Sequence, residues 1–485
     1  MSREKKSWFR PKGYEHFTPR LGRDNYRFTF SYSSSEVNVA KHAFLPLLHT
    51  TIKERRYKVV NPVTGERAHR IVEDGHSKGT AKKRQIYYAT HLDAQIYSYY
   101  SNKVLGPKYE DLLSTNPGLS ECVVAYRRLT LASGESKSNI HFAKEVFEHI
   151  RKQEACVAMT FDISKFFDSL DHKLLKQMWC KVLGVNTLPK DHYNLYKSLT
   201  RFSFVELRDV MSVKKIPHIK ELKRRKSISF CEDLNQFKSD FVNSGLVHKN
   251  PYRNSEGKPQ GIPQGTPISA LLANLFLYDF DKKVLELIQK SSVGLYRRYS
   301  DDLVVVCKPE EAMELEKIIV DEIDKICKLK IHPKKSKRHI FRRSSADDIR
   351  FIVSEVLENG TEVLGSPLHY LGFEFDGNRI LLKSSSLAKY YRKMKRGVRI
   401  RAWRSLVGKK KQKRKPKTDA KLWKKKLYMS YSHLGRNRKR GNYLTYAFRA
   451  SKIMDEPAIR GQVSRSWEVL SLQIEKYEKK YRLPR

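Results

Sequence analysis

The chain is predicted to be an α+β protein, on three observations. Leu295 to Tyr299 and Leu303 to Val306 are β-prone runs separated by Ser300, Asp301 and Asp302. That is the pattern of two strands joined by a tight turn with a carboxylate pair at its tip. The run Cys156-Val157-Ala158-Met159-Thr160-Phe161-Asp162 reads as a short buried strand, and it too ends in a carboxylate. Elsewhere apolar residues recur at helical spacing, as at Ile140, Ala143, Val146, Phe147 and Ile150 in a helix expected over 139–151.

Taken in order, residues 1–70 form a basic, aromatic N-terminal extension. Trp8, Phe9, Tyr14, Phe17, Tyr26, Phe28 and Phe30 alternate there with Arg and Lys. It serves equally as an arm offering rings to nucleic acid or as an extension packed on the body. Residues 71–376 make the central unit. Lys82-Lys83-Arg84 runs into a strand-like segment, and 93–105 reads as a helix. A helix from Asp171 carries Leu174, Leu175, Met178, Trp179, Val182 and Leu183 on one face and stops at Gly184. Residues 201–258 are irregular and strongly basic around 220–226, so they are expected to be a surface insertion. A Gly- and Pro-containing loop, 257–266, opens a helix over 269–285, and Pro309 starts an acidic helix ending near Cys327. Asn359-Gly360 and Asp376-Gly377 mark hairpins. Residues 377–485 are expected to be basic helices interrupted by a charged connector at 409–417.

Composition narrows the function. The 485 residues are 40% hydrophobic, enough for a sizeable core and two or three domains. Lys and Arg total 97 against 52 acidic residues, a net charge of +45. Solvation alone does not require so lopsided a surface, and an acidic polymer, nucleic acid first, is the natural partner. No apolar run approaches the roughly 20 residues that span a bilayer, and Met1 to Lys6 does not read as a signal peptide, so no membrane partner and a cytoplasmic location are expected. The six Cys lack C-x-x-C spacing and read as reduced, mostly buried thiols.

The chemistry concentrates in two blocks besides the 295–306 hairpin. Adjacent Asp side chains in a turn can both reach one divalent cation, and hard oxygen ligands suit Mg²⁺. Alone, that hairpin could be an ordinary Asp-containing turn, and Asp162 alone could be a helix cap or an ion-pair partner. Together Asp162, Asp301 and Asp302 could hold two Mg²⁺ ions roughly 3.5–4 Å apart. The other block is Gln260 to Ser269 followed by the Leu-rich run 270–277. Its two Gly and two Pro set a specific loop whose helix-start amides could face a nucleotide or a nucleic-acid strand.

These blocks, in this order, resemble the reverse transcriptases. Phe161-Asp162 is similar to that family's first catalytic motif. Pro263-Gln264-Gly265-Thr266-Pro267-Ile268-Ser269 resembles its P-Q-G-x-x-x-S loop, and Tyr299-Ser300-Asp301-Asp302 its Y-x-D-D box. The resemblance implies a right-hand polymerase with fingers, an antiparallel palm and a helical thumb with a C-terminal extension. It implies that Asp162, Asp301 and Asp302 are catalytic and that they, with Ile163, hold the metals. Gln264 and Gly265 would meet the incoming dNTP, and Phe167 would stand against its 2′-position, favouring dNTPs over rNTPs. Weaker matches place Arg84 and Lys335 at the nucleotide, and Tyr370-Leu371-Gly372 at the primer grip. Ala270 replaces the Pro common after the motif's Ser, and the interval from Asp162 to Gln264 is long. No RNase H or HNH cluster is evident downstream.

Segments 89–94 and 137–140 most resemble bacterial enzymes of the group II intron and abortive-infection lineages, which implies a defence-associated reverse transcriptase. The expected partners are an RNA template, plausibly a structured non-coding RNA, dNTPs and a DNA product, and a homo-oligomer stays open. The cations expected to bind RNA are Lys424, Lys425, Lys426, Arg436, Arg438, Lys439 and Arg440. Tyr390, Met394, Val398, Trp403, Trp423 and Leu427 are interleaved with such cations at spacings compatible with helices packed on one face. Two other functions fit parts of the pattern: a template-independent nucleotidyl transferase on the same palm, and a maturase-like RNA-binding protein.

Overall fold

The structure is a computed structural model that describes residues 8–54, 57–59, 66–73, 76–222, 229–345, 348–357, 359–407, 422–435 and 441–482. Its centre is a six-stranded antiparallel sheet in the order Leu295–Tyr299, Asp302–Cys307, Ala155–Asp162, Lys337–Ser345, Asp348–Val356, Glu362–Leu364. Its central strands are apolar on both faces because both faces are covered. Met159, Phe161, Leu303 and Val305 point into one core, shared with the helices His172–Leu183, Ser269–Phe276, Tyr278–Ile288 and Ala312–Cys327. Cys156, Ala158, Val304 and Val306 point into a second core, with the helix Asn139–Arg151 and the C-terminal helices. Alternate residues of one strand thus serve opposite layers, so the run reads as continuously apolar rather than alternating.

Local signals set most element ends. Asp171 caps the His172–Leu183 helix by accepting from Leu174 N, and Gly184 closes it in the left-handed region at φ 69°. Two hairpins join Asp348–Val356 to Glu362–Leu364 and Phe373–Phe375 to Ile380–Leu382, as Asn359-Gly360 and Asp376-Gly377 predict. The expected single helix over 269–285 is two helices that meet at Leu277. All six Cys are free and buried. No described helix is long and apolar enough to cross a membrane.

The reading of 201–258 as a surface insertion needs correction. Ser203–Glu206 pairs parallel to Leu47–Glu54 in a second sheet, which also holds Lys82–Tyr88 and His248–Lys249. Val205, Phe230, Phe237 and Phe241 then form a third core with Phe17 and Leu48. The apolar residues of this stretch show no regular period because they pack both on one another and on a distant segment. That partner comes from the N-terminal extension, whose described part lies on the body: Trp8 is wholly buried, and Phe17 and Tyr26 nearly so.

The C-terminal region wraps the second core. Tyr390, Met394, Val398 and Ala402 form the buried face of the Ser384–Ala402 helix, and the helices Lys425–Tyr431, Tyr443–Met454, Pro457–Val463 and Ser466–Arg482 follow. Trp403 and Trp423, expected on packed faces, are instead 46% and 73% exposed. The expected connector at 409–417 lies outside the described residues.

Candidate active site

Strand pairing brings the two carboxylate blocks together. Asp302, the first residue of its strand, lies directly opposite Asp162, the last of its own. Directly opposed residues share a face, with Cβ atoms about 4.5–5.5 Å apart. Asp301 precedes on the turn, and its carbonyl accepts from Ile163 N at 3.3 Å. Ser300 holds the left-handed conformation (φ 63°) that lets the chain reverse there.

A network absent from the sequence reading supports this turn. Arg298 is fully buried and forms a bidentate pair with Asp281, 2.7 Å on each arm. It also donates to Asn274 Oδ1 at 3.1 Å and to the Ser300 carbonyl at 3.2 Å. Tyr296 donates to Asp281 at 2.7 Å, and Asn274 donates to the Ala125 carbonyl at 2.8 Å. The sequence signal was an Arg at an inward position of a strand, which demands a buried acid; which acid was not legible.

A cavity of about 570 Å³ opens in front of the carboxylates. Asp162, Asp302, Lys335, Tyr370, Leu371 and Gly372, all singled out from sequence, line it. Lys383 and Asn139 also line it and were not anticipated; Asn139 donates to the Leu371 carbonyl at 3.1 Å and to Tyr446 Oη at 2.9 Å. Burial, then Asp301 and Asp162, push the Asp302 carboxyl up to about 6, with Lys383 and Lys335 opposing. Burial foremost raises Asp301, against which Lys82 acts.

The donor set fits a divalent cation: hard carboxylates crowd together at two paired strand ends, Asp162 and Asp301 half-buried and Asp302 at the surface, and resist ionising without a counter-charge. Lys335 Nζ, 2.5 Å from Asp162 Oδ2, supplies such a charge. With Asp162 held that way, no three acidic, imidazole or thiol groups among the described residues form a ready metal cage.

The remaining candidates sit outside this cavity. Arg84 pairs with Glu54 at 2.8 Å, and Glu54 also binds Lys389 of the Ser384–Ala402 helix. Gln264 touches the second sheet by its backbone, its carbonyl accepting from Tyr87 N at 2.8 Å. Gly265, at φ 125°, lets the loop approach so closely that a Cβ there would lie 2.4 Å from the Tyr87 carbonyl oxygen. The Ser269 hydroxyl braces the loop by donating to the Pro263 carbonyl at 2.7 Å. Phe167 is half-buried beside the same loop, its carbonyl accepting from Ile262 N at 2.9 Å, while Phe166 is buried in the core. Lys424 pairs with Glu478 at 3.3 Å, and Lys425 and Lys426 are exposed. Arg436, Arg438, Lys439 and Arg440 lie outside the described residues.

Asp162 and Asp302 thus face a cavity lined also by Lys335, Lys337 and Lys383, with Asp301 on the adjoining turn. Residues 212–375 match the family described as reverse transcriptase (RNA-dependent DNA polymerase). The match contains Gln264, Asp301, Asp302, Lys335 and Tyr370; Asp162 precedes it. No curated protein matches the chain. Among solved structures, apo telomerase from Candida tropicalis lacking its C-terminal domain is similar at 12% identity and TM-score 0.35, covering 72% of this chain and 58% of that one. Telomerase from Candida albicans in complex with a TWJ fragment of telomeric RNA is similar at 11% identity and TM-score 0.34, over 76% and 53% of the two chains. The chain therefore spans less than two thirds of the length of these two proteins.

Proposed function

We propose that the chain is an RNA-directed DNA polymerase of right-hand form. The six-stranded sheet is the palm, the sheet of Leu47–Glu54 and Lys82–Tyr88 belongs to the fingers, and the helices from Ser384 form the thumb and its extension. The observation that carries this reading is the register that sets Asp162 opposite Asp302, with Asp301 on the adjoining turn, at a cavity bounded by Lys335 and Tyr370–Gly372.

The residues divide the work. Asp162, Asp301 and Asp302 would hold two Mg²⁺ ions, which when bound favour ionisation of a primer 3′-hydroxyl and take up charge on the departing pyrophosphate. Lys335 leaves Asp162 as that carboxylate takes up its ligand role. Tyr370, Leu371 and Gly372 hold the primer end against the carboxylates. Gln264 and Phe167 bound the nucleotide's sugar, and Arg84 and Lys82 approach its phosphates from the fingers.

The finer reading is a bacterial enzyme of antiphage defence that copies a bound, structured non-coding RNA. The likeness of segments 89–94 and 137–140 to the abortive-infection lineage supports it, as does a cationic C-terminal third beyond what a thumb requires. The test is Mg²⁺-dependent incorporation of dNTPs on a primed RNA template, with the native RNA identified by sequencing what co-purifies. Asp301→Asn and Asp302→Asn each remove one ligand charge at constant size. Each should cost more than the roughly 10–100-fold that outer-shell changes cost. Undiminished synthesis by either variant would sink the assignment.

A further inference from the structure

A groove lies between the short helix Glu36–Lys41 and the helix Lys190–Thr200. Its cavity is about 490 Å³ and shares no residue with the catalytic one. Val37, Ala40 and Tyr193 give it an apolar lining, and Lys41, Lys190 and Lys197 stand around them. A smaller cavity of about 280 Å³ continues it through Asn194 and Lys197 and adds Arg201. No Asp or Glu lines either cavity. The four cations are exposed, and none has an acidic partner among the described residues. Val37 is 63% exposed, so apolar surface is left open between unanswered charges.

The walls of this groove are tied together. Asn194 Nδ2 donates to the Val39 and His42 carbonyls, at 2.8 Å each. The His42 ring is held between Tyr32 Oη at 2.9 Å and Asp93 Oδ1 at 2.8 Å, and the Phe44 ring stacks on Tyr97 with centroids 5.1 Å apart. A surface already fixed in shape loses little freedom when something docks on it.

The chain carries a counterpart to it. The helix Ala312–Cys327 buries Ala312, Leu315, Ile319, Ile323 and Cys327. With about 3.6 residues per turn, Met313, Glu314, Lys317, Val320, Asp321 and Asp324 fall on the other side, and all are exposed. Met313 is 75% exposed. Glu310, just before the helix, is exposed as well. In a chain with 97 Lys and Arg, Glu310, Glu314, Asp321 and Asp324 have no basic partner among the described residues. Open apolar side chains among unanswered carboxylates match an open apolar groove among unanswered cations.

We propose that the groove docks the Ala312–Cys327 helix of a second copy of this chain. Met313 and Val320 would lie against Val37, Ala40 and Tyr193, with Glu314 and Asp321 among Lys41, Lys190 and Lys197. Groove and helix are different patches, so the contact is head-to-tail: each copy still offers one free groove or helix until a ring closes. Exposed ion pairs contribute little attraction by themselves. The apolar contact supplies the attraction, and the charges decide which faces meet.

The test is sedimentation velocity on the nuclease-treated chain over a concentration series at low salt, so that RNA cannot bridge two copies. Wild type should form species larger than the monomer as its concentration rises, and added salt should weaken them. Lys41→Glu/Lys197→Glu reverses the groove, and Glu314→Lys/Asp321→Lys reverses the helix. Each variant alone should assemble about 100-fold more weakly, because like charges then face each other. Mixed together, the two variants should assemble again, since each meets the opposite charge on the other. Thermal melting checks that each variant is folded. The proposal is overturned if nuclease-treated wild type stays monomeric at every concentration, or if mixing the two variants restores nothing. It is also overturned if either variant assembles as wild type does; survival of the helix reversal alone would assign the groove to another acidic surface.

Discussion

Two arginine–carboxylate pairs, one behind the carboxylate turn and one on the second sheet, differ in one respect. Arg298–Asp281, behind the Asp301–Asp302 turn, is wholly buried on both sides; Arg84–Glu54, on the sheet of Leu47–Glu54 and Lys82–Tyr88, is 39% and 30% exposed. The buried pair is shielded from competing ions, so it works as a fixed strut whose removal strands a charge. The exposed pair is screened by solvent and can exchange partners, which suits the nucleotide-binding role proposed for Arg84. The same division recurs nearby. Phe166 is fixed in the core while Phe167 packs half-buried at its edge, and Lys335 holds Asp162 by a contact open to solvent.

The strut should give the largest effect. Arg298→Met leaves Asp281 buried without its cation and should cost about 3–5 kcal/mol in denaturant unfolding, with loss of synthesis in the fraction that stays folded. Arg298→Met/Asp281→Leu should recover much of the stability but not the activity, because the Ser300 carbonyl still lacks its donor. Full activity in the double variant would show that the turn does not need the strut.

For the two rings, Phe167→Ala should raise the ratio of rNTP to dNTP incorporation by roughly tenfold, the scale of one steric contact in a pocket. Phe166→Ala should instead cost about 3–5 kcal/mol of stability with the sugar preference unchanged. The reverse pattern would exchange their roles.

The carboxylates carry a pH signature. Asp302 rises from 3.8 to about 6, so the folded chain binds a proton that the unfolded chain releases between those values. Without metal, its contribution should therefore make stability fall as pH rises through that window. Mg²⁺ competes with this proton, so the rise in Tm on adding Mg²⁺ should be larger at pH 7 than at pH 5. An equal rise at both would place the metal elsewhere.

The exchangeable pair should give the smallest effect. Glu54→Gln frees Arg84 from its resident carboxylate and should lower the KM for dNTP by roughly two- to fivefold, the scale of an exposed ion pair. An unchanged KM would mean that Arg84 does not reach the triphosphate.

Much of the site was legible because its signals are local. A strand ending in Asp162, a turn carrying Asp301 and Asp302, and a Gly-Pro loop before a Leu-rich helix are each written within about ten residues, where side-chain period and turn chemistry dictate conformation. The helix over 139–151 and the stop at Gly184 were readable for the same reason. Arg84 was readable as a cation on a strand, but its pairing with Glu54, which Lys389 also binds, was not, since those residues lie 30 and 305 positions away along the chain.

The tertiary structure decided everything that depends on which distant segments pair. It set Asp162 opposite Asp302, gave Ser203–Glu206 a place in the second sheet, buried Arg298 against Asp281, and tied the backbone of Trp8 and Arg10 to Ser98 and Gln95. Local patterns fix periodicity and turn type, and apolar burial is non-directional. Only closure of the whole core determines which apolar faces meet, and with them which charges are buried together and which remain free to exchange.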